Sequence, residues 1–175
     1  MITSSEQEVP DLDELDFEYL NTFPDGDPAP KALVFLKAGI STFAKKNYSD
    51  EPTLKLIISA LTQAPLLIPV QVDFDDLLGK ADLNGASPDR ELCPKSGSKP
   101  TWITARLNDG TEVIPMFTSR KEAAKGEPIP LMQYAPKDYF RILAEIELPA
   151  MINPFGKASF YMSRKFIKEA ILPQL

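Results

Sequence analysis

The sequence predicts an α+β fold, with a mixed β-sheet of about five strands and helices packed on it. Three observations lead to this prediction. Two early segments carry apolar residues at helical spacing, residues 66–74 form a nearly continuous apolar run, and two later segments flank turn-forming motifs. With 43% hydrophobic and 25% charged residues in a chain of 175, the composition suits one globular domain, which we place at residues 30–175.

Two helices are expected first. Pro30 suits the first turn of a helix over residues 31–45, whose apolar face carries Leu33, Leu36, Ile40 and Phe43. Gly39 inside it costs up to about 1 kcal/mol relative to Ala, so a close contact is expected there. Asp50 caps the second helix, which Pro65 ends. An apolar stripe at helical spacing marks its buried face, namely Leu54, Ile57, Ile58 and Leu61.

Residues 101–117 are predicted to form a β-hairpin around Asp109-Gly110, as a type I′ turn. That turn would place Ala105 opposite Ile114 and Leu107 opposite Glu112. Since proline cannot donate to a ladder, Pro115 should border an edge, a bulge or a strand end.

The remaining elements follow from caps and turns. Ser119 and Glu122 have the spacing of a capping box and open a short helix. Pro136 opens a helix that runs to about Ile146. Residues 150–152 and 158–162 then pair around a turn at residues 153–156, and Ser163 caps a final helix over residues 164–171.

Several of these motifs, in their order and spacing, resemble a known family. The run Ile114-Pro115-Met116-Phe117-Thr118-Ser119 after the Asp109-Gly110 turn, with Asn153-Pro154-Phe155-Gly156 later, resembles the N-terminal domain of the SseB family, the enhanced serine sensitivity proteins. The resemblance spans residues 30–172. It implies a bacterial, cytoplasmic α/β domain without an assigned reaction. The family often has a second, C-terminal domain, which we expect this sequence to lack.

The charge is concentrated in the first residues of the chain. Residues 1–27 contain nine acidic residues and no Lys or Arg, so residues 1–29 are predicted to be an acidic, flexible arm. Apolar residues alternate with these acids, a pattern that also favours docking on a partner or on the basic face of the domain itself. The apolar members are Leu12, Leu15, Phe17, Tyr19 and Leu20. Residues 79–100 are predicted to be a long polar loop.

Composition also excludes classes of chemistry. The chain has no histidine, which removes Ser-His-Asp and Cys-His catalysis and His-ligated zinc. Its single cysteine, Cys93, allows no internal disulfide or thiolate metal cluster, and we interpret it as inert rather than as a redox thiol. No apolar run is long enough to cross a membrane, no signal peptide is apparent, and no phosphate-binding glycine motif occurs. No cofactor is predicted.

Few residues remain as site candidates. Thr118 and Ser119 could serve as a nucleophile or phosphate binder at a helix start, although capping is the favoured role. We interpret Asn153 as a turn residue rather than as a ligand. Three basic residues form either a small basic rim or separate solvated charges, namely Arg106, Arg120 and Lys121. A carboxylate group after the first strand could hold Mg²⁺ or Ca²⁺, or else face solvent, namely Asp73, Asp75 and Asp76.

Two functions follow from these alternatives. The preferred one is a non-enzymatic protein-interaction or regulatory module with a protein partner or a second copy of itself, and without nucleic acid or membrane. The alternative is a small-molecule-binding or divalent-metal-binding protein or a carboxylate-based hydrolase.

Overall fold

The computed structural model describes residues 30–71 and 101–175. Its helices, in chain order, are α1 (Lys31–Lys45), α2 (Glu51–Leu61), α3 (Arg120–Ala123), α4 (Pro136–Ile146) and α5 (Arg164–Phe166). A wider, π-helical turn (Ile167–Ile171) and a 3₁₀ turn (Leu172–Gln174) continue α5. The strands are β1 (Leu66–Gln71), β2 (Thr101–Trp102), β3 (Ala105–Arg106), β4 (Glu112–Met116), β5 (Leu131–Tyr134), β6 (Ala150–Ile152) and β7 (Phe160–Met162).

Helices α1 and α2 pack against each other where Gly39 allows it. A β-carbon at Gly39 would lie 3.0 Å from Cγ1 of Ile57, so the close contact expected there is confirmed. The Asp50 cap is also confirmed, since its carboxylate accepts from the Thr53 N–H at 3.0 Å and from the Thr53 hydroxyl. The hydrogen bond from the Thr53 hydroxyl is the main reason that the pKa of Asp50 lies below its ordinary value.

One buried tyrosine ties α4 to the end of α2. The Tyr139 hydroxyl donates to the carbonyl oxygens of Leu61 and Ala64, at 2.9 and 3.1 Å. The Leu61 carbonyl belongs to the last turn of α2, where backbone acceptors have no partner within the helix, and the Ala64 carbonyl lies three residues beyond it. Burial raises the pKa of Tyr139, so the phenol stays a neutral donor.

The strands form two sheets, which confirms the α+β class, although one sheet of about five strands was expected. The first has the order β2-β1-β5 and is antiparallel throughout, with Val70 opposite Trp102 and Ile68 opposite Met132. The second has the order β3-β4-β6-β7 and is mixed, because β4 and β6 run parallel. Two backbone hydrogen bonds between Leu67 and Phe117 join the sheets, at 2.8 and 2.9 Å.

The β3–β4 hairpin exists, but its predicted turn and register are wrong by one residue. Ala105 lies opposite Val113, not Ile114, and Arg106 lies opposite Glu112. The Leu107 N–H donates to the Thr111 carbonyl oxygen at 2.8 Å, so three residues form the loop instead of two. A type I′ turn requires a positive φ at both of its central residues. Gly110 has a φ of 88°, but the φ of Asp109 is not positive. The observed loop is the three-residue type that ends in a left-handed glycine.

The four-stranded sheet turns one face to the core and the other outward. The core face packs with α1, α2 and α4 in one apolar cluster, and its residues are Ile114, Met116, Ala150, Ile152, Phe160 and Met162. The outer row crosses three strands through Pro115, Met151 and Tyr161, which face one another in register. Since β3 pairs with Glu112 and Val113 alone, Pro115 lies beyond that pairing, as expected for proline.

Some predictions lie outside the described residues. They concern the acidic arm at 1–29, the loop at 79–100, the strand end at 72–74 and Cys93.

Candidate functional site

Thr118 and Asn153 meet because they follow two neighbouring parallel strands. Thr118 lies two residues after β4, and Asn153 directly after β6. The Thr118 N–H donates to Oδ1 of Asn153 at 3.0 Å, and Nδ2 of Asn153 donates to Oγ1 of Thr118 at 3.0 Å. Both residues are buried. Beyond the last residue pair of β4 and β6, the side chain of Asn153 thus supplies the hydrogen bonds that a further backbone pair would make.

Asn153 also shapes the turn that leads to β7. Its φ is 51°, in the left-handed region that asparagine tolerates better than most residues. Its carbonyl oxygen accepts from the Gly156 N–H at 3.0 Å, and its own N–H donates to the Met116 carbonyl oxygen at 2.8 Å. The turn role predicted for Asn153 is present, together with a cross-strand role that the sequence did not indicate.

Ser119 caps α3, as its spacing from Glu122 predicts. Its Oγ accepts from the Glu122 N–H at 3.2 Å. The Glu122 carboxylate does not complete the box; its Oε2 accepts from Nζ of Lys125 at 2.7 Å. A β-carbon at Gly156 would lie 2.8 Å from the same oxygen, so the carboxylate is held tightly against the 153–156 turn.

A small polar cleft, which we call the lysine cleft, lies beside these residues. Its lining residues come from α1, α3 and the β6–β7 turn, namely Lys37, Ile40, Glu122, Asn153, Lys157 and Ala158. Its cavity volume of about 10 Å³ is close to the space that one water molecule occupies.

Two charged residues of the cleft are buried, since Lys37 is only 6% exposed and Glu122 is 7% exposed. Burial lowers the pKa of Lys37, Glu122 opposes that shift, and the nearby Lys121 and Lys125 add to it. Sequence reasoning missed Lys37, although a signal was present. It lies four residues after Leu33 and three before Ile40, inside the apolar stripe of α1, where a lysine is out of pattern.

The other predicted site residues do not all gather here. Arg120 starts α3 and is exposed. Arg106 lies opposite Glu112, at the far end of β4 from Thr118. Six residues of extended chain separate Glu112 from Thr118, or about 20 Å, so Arg106 and Arg120 do not form one rim.

No group of three or more acidic or cysteine side chains is arranged to hold a metal ion within residues 30–71 and 101–175. Asp73, Asp75 and Asp76 lie outside these ranges, so the divalent-metal site stays a prediction.

Comparison with protein-family models matches residues 40–169 to the SseB protein N-terminal domain. The chain belongs to the SseB family. The match covers most of the described fold, from the second half of α1 to the π-helical turn, including the Thr118–Asn153 pair and every lining residue of the lysine cleft except Lys37. No curated protein and no solved structure matches the chain.

Every helix in the two described ranges falls short of the length and apolar character needed to cross a membrane.

Proposed function

We propose that this SseB domain is a non-catalytic protein-interaction module that associates with a second copy of itself through β7. The observation that carries the proposal is the position of Tyr161. Within residues 30–71 and 101–175, β7 ends the four-stranded sheet, and Tyr161 is its central residue and is 48% exposed. An end strand offers unpaired backbone donors and acceptors to another chain.

The side chains next to Tyr161 support the same surface. Pro115, Met151 and Tyr161 form the outer row, and exposure increases along it, from buried through half-buried to exposed. An apolar row that opens toward the sheet edge is typical of a contact surface.

Symmetry favours a second copy as the occupant. Antiparallel pairing of β7 with β7, centred on Tyr161, obeys a two-fold axis and extends the sheet to eight strands. It also sets the two Tyr161 rings side by side on the outer face. Because β7 has three residues, the pairing contributes few hydrogen bonds, and a weak, reversible dimer is expected.

The polar residues support a non-catalytic role. Thr118, Ser119 and Asn153 are buried, and the hydrogen bonds that they make hold the sheet end and the α3 cap. The proposal places the protein in the bacterial cytoplasm, a reducing compartment that a single cysteine suits.

The test is the solution mass of the full chain as a function of concentration, by sedimentation equilibrium. The wild-type mass should rise from that of a monomer toward twice that value, and Tyr161→Lys should keep it at the monomer. Gln133→Lys is the matched control, because Gln133 is an exposed residue within β5, at the end of the other sheet. A wild-type mass that stays monomeric into the millimolar range refutes self-association, and an equal effect of Gln133→Lys refutes the β7 edge.

A further inference from the structure

An aromatic cluster lies on the helix side of β7. Neighbouring residues of a strand point to opposite faces, so Phe160 faces the core while Tyr161 faces outward. Two rings from the helices contact Phe160, Phe43 at 6.0 Å and Phe166 at 5.7 Å between centroids. Tyr48, between α1 and α2, completes the cluster, since its ring packs edge-on against Phe43 at 5.5 Å. The cluster therefore packs on the strand that ends the four-stranded sheet within the described ranges.

Tyr48 is the exposed end of this cluster. It is 51% exposed, whereas Phe43 and Phe160 are 6% and 4% exposed. The fold thus packs one side of the Tyr48 ring and leaves the other side in solvent. An aromatic ring with an apolar body and a polar tip, half of it open, is typical of residues that anchor protein interfaces.

The backbone holds Tyr48 in a conformation that is unfavourable for a large side chain. Asn47 and Tyr48 both have a positive φ, 54° and 58°, which asparagine tolerates better than tyrosine does. Two hydrogen bonds maintain it, from the Tyr48 N–H to the Phe43 carbonyl oxygen at 2.8 Å and from the Asn47 N–H to the Ala44 carbonyl oxygen at 3.1 Å. Strain of this kind is concentrated at binding sites, where the position of a side chain matters more than its local cost.

From these features, we propose that Tyr48 is a second contact residue of the β7 interface and packs against a second copy of this chain. The inference rests on the self-association through β7 proposed above, and it extends that interface to the helix side of the sheet. The two-fold axis of an antiparallel strand pair is perpendicular to the sheet, so the helix layers of both copies lie on the same side and meet across the axis.

The register of the β7 pair places the contact of Tyr48. With the axis at Tyr161, Phe160 of one copy lies opposite Met162 of the other. Tyr48 lies beside Phe160 through the ring of Phe43, so it faces the residues that connect β7 to α5 in the second copy. Residues 162–164 form this connection.

The area available at the edge also favours a contact beyond the strand. Stable interfaces bury about 1,200–2,000 Å² in total, and β7 offers only three residues. A fully buried aromatic side chain contributes about 150–250 Å², so the half-exposed rings of Tyr48 and Tyr161 add about 400 Å² over two copies. An interface of this size is weak, and the loss of one ring from each copy should weaken it further.

Sedimentation equilibrium of the full chain measures the contribution of Tyr48. Tyr48→Asn removes the ring and supplies a residue that tolerates the positive φ, so the fold should be retained, which urea unfolding verifies. The dissociation constant of the dimer should rise about tenfold. Ile129→Asn is the matched control, because Ile129 is also an exposed apolar residue and lies two residues before β5, in the other sheet. It should leave the dissociation constant unchanged.

A photoreactive residue tests the contact itself. The full chain carries p-benzoylphenylalanine in place of Tyr48, and ¹⁵N-labelled protein is mixed with unlabelled protein before irradiation. We expect links that join labelled to unlabelled chains and that mass spectrometry locates within residues 160–166. Adding Tyr161→Lys should abolish these links.

The outcomes separate this inference from the proposed function. A dimer that Tyr161→Lys dissociates and Tyr48→Asn leaves intact overturns the role of Tyr48 while the β7 interface stands. Links from position 48 that stay within one chain overturn it too, because another segment of the same chain then covers the ring. A wild-type chain that remains monomeric refutes the β7 interface, and the role of Tyr48 with it.

Discussion

Replacing Asn153 tests how strongly the pair with Thr118 holds the two parallel strands. Asn153→Ala removes the oxygen that accepts from the Thr118 N–H and the amide that donates to its Oγ1. Thr118 is only 2% exposed, so water does not replace these partners. The substitution also places alanine at a φ of 51°.

The expected loss follows from two terms. Leaving a buried backbone N–H without an acceptor costs about 1–3 kcal/mol. Alanine in the left-handed region adds about 1 kcal/mol relative to a residue that tolerates it. The sum is a loss of about 3 kcal/mol in the free energy of unfolding. For a domain of this size, such a loss lowers Tm by about 6–12 °C.

Two further variants separate the terms, with urea unfolding followed by far-UV circular dichroism. Asn153→Gly removes the same side chain but accepts the positive φ, so it should retain about 1 kcal/mol more than alanine. Asn153→Asp keeps an acceptor for the Thr118 N–H and tolerates the φ, so its loss should be the smallest of the three.

Either of two results would refute the reasoning. A loss below about 1 kcal/mol for Asn153→Ala would show that the Thr118 N–H finds another acceptor or water. Equal stability of the alanine and glycine variants would show that the positive φ at residue 153 adds no cost for alanine.

Three other substitutions test the helices, all by urea or thermal unfolding of the full chain. Asp50→Ala should cost about 1 kcal/mol at neutral pH through loss of the α2 cap. Because the folded-state pKa of Asp50 lies below its ordinary 3.8, this contribution is complete above that value and declines as the pH falls through the lower one, so a cost of Asp50→Ala that rises as the pH falls below 3.8 contradicts the reasoning. Tyr139→Phe should cost about 1–2 kcal/mol, since two buried carbonyls lose their donor, and no change would mean that water reaches them. Gly39→Val should cost about 2 kcal/mol by forcing α1 away from Ile57, more than Gly39→Ala does, and equal stability of the two would show that α2 adjusts freely.

Local signals predicted the elements of this fold well. Pro136 and the apolar spacing after it predicted α4, Asp50 and Pro65 bounded α2, and Ser119 and Ser163 capped the helices that follow them. Each of these signals acts within a few residues, where one sequence contains all the information that is needed.

Pairing between distant segments could not be predicted in the same way. Alternation alone does not distinguish a two-residue loop from a three-residue loop around Gly110, and one residue shifts every pair of the hairpin. Parallel pairing of β4 with β6 joins residues 36 positions apart, such as Ile114 and Ala150, and no turn motif specifies it.

In the candidate site too, local features were predicted and contacts between distant segments were not. The cap at Ser119 and the turn at Asn153 were both predicted, whereas the bond between Asn153 and Thr118 depends on the parallel pairing. Lys37 lines the cleft because α1 lies near α3 and the β6–β7 turn. This tertiary arrangement cannot be predicted from the apolar pattern of one helix.

The chain carries one tryptophan, and its position makes the two sheets optically distinguishable. Trp102 pairs with Val70 and packs edge-on against Tyr134, 5.3 Å away, so both of its partners belong to the three-stranded sheet. Its fluorescence emission therefore follows the opening of that sheet, whereas circular dichroism averages over the whole fold. The Leu67–Phe117 hydrogen bonds join the two sheets, and Trp102 lies in only one of them. Separation of the halves can be observed without any attached label.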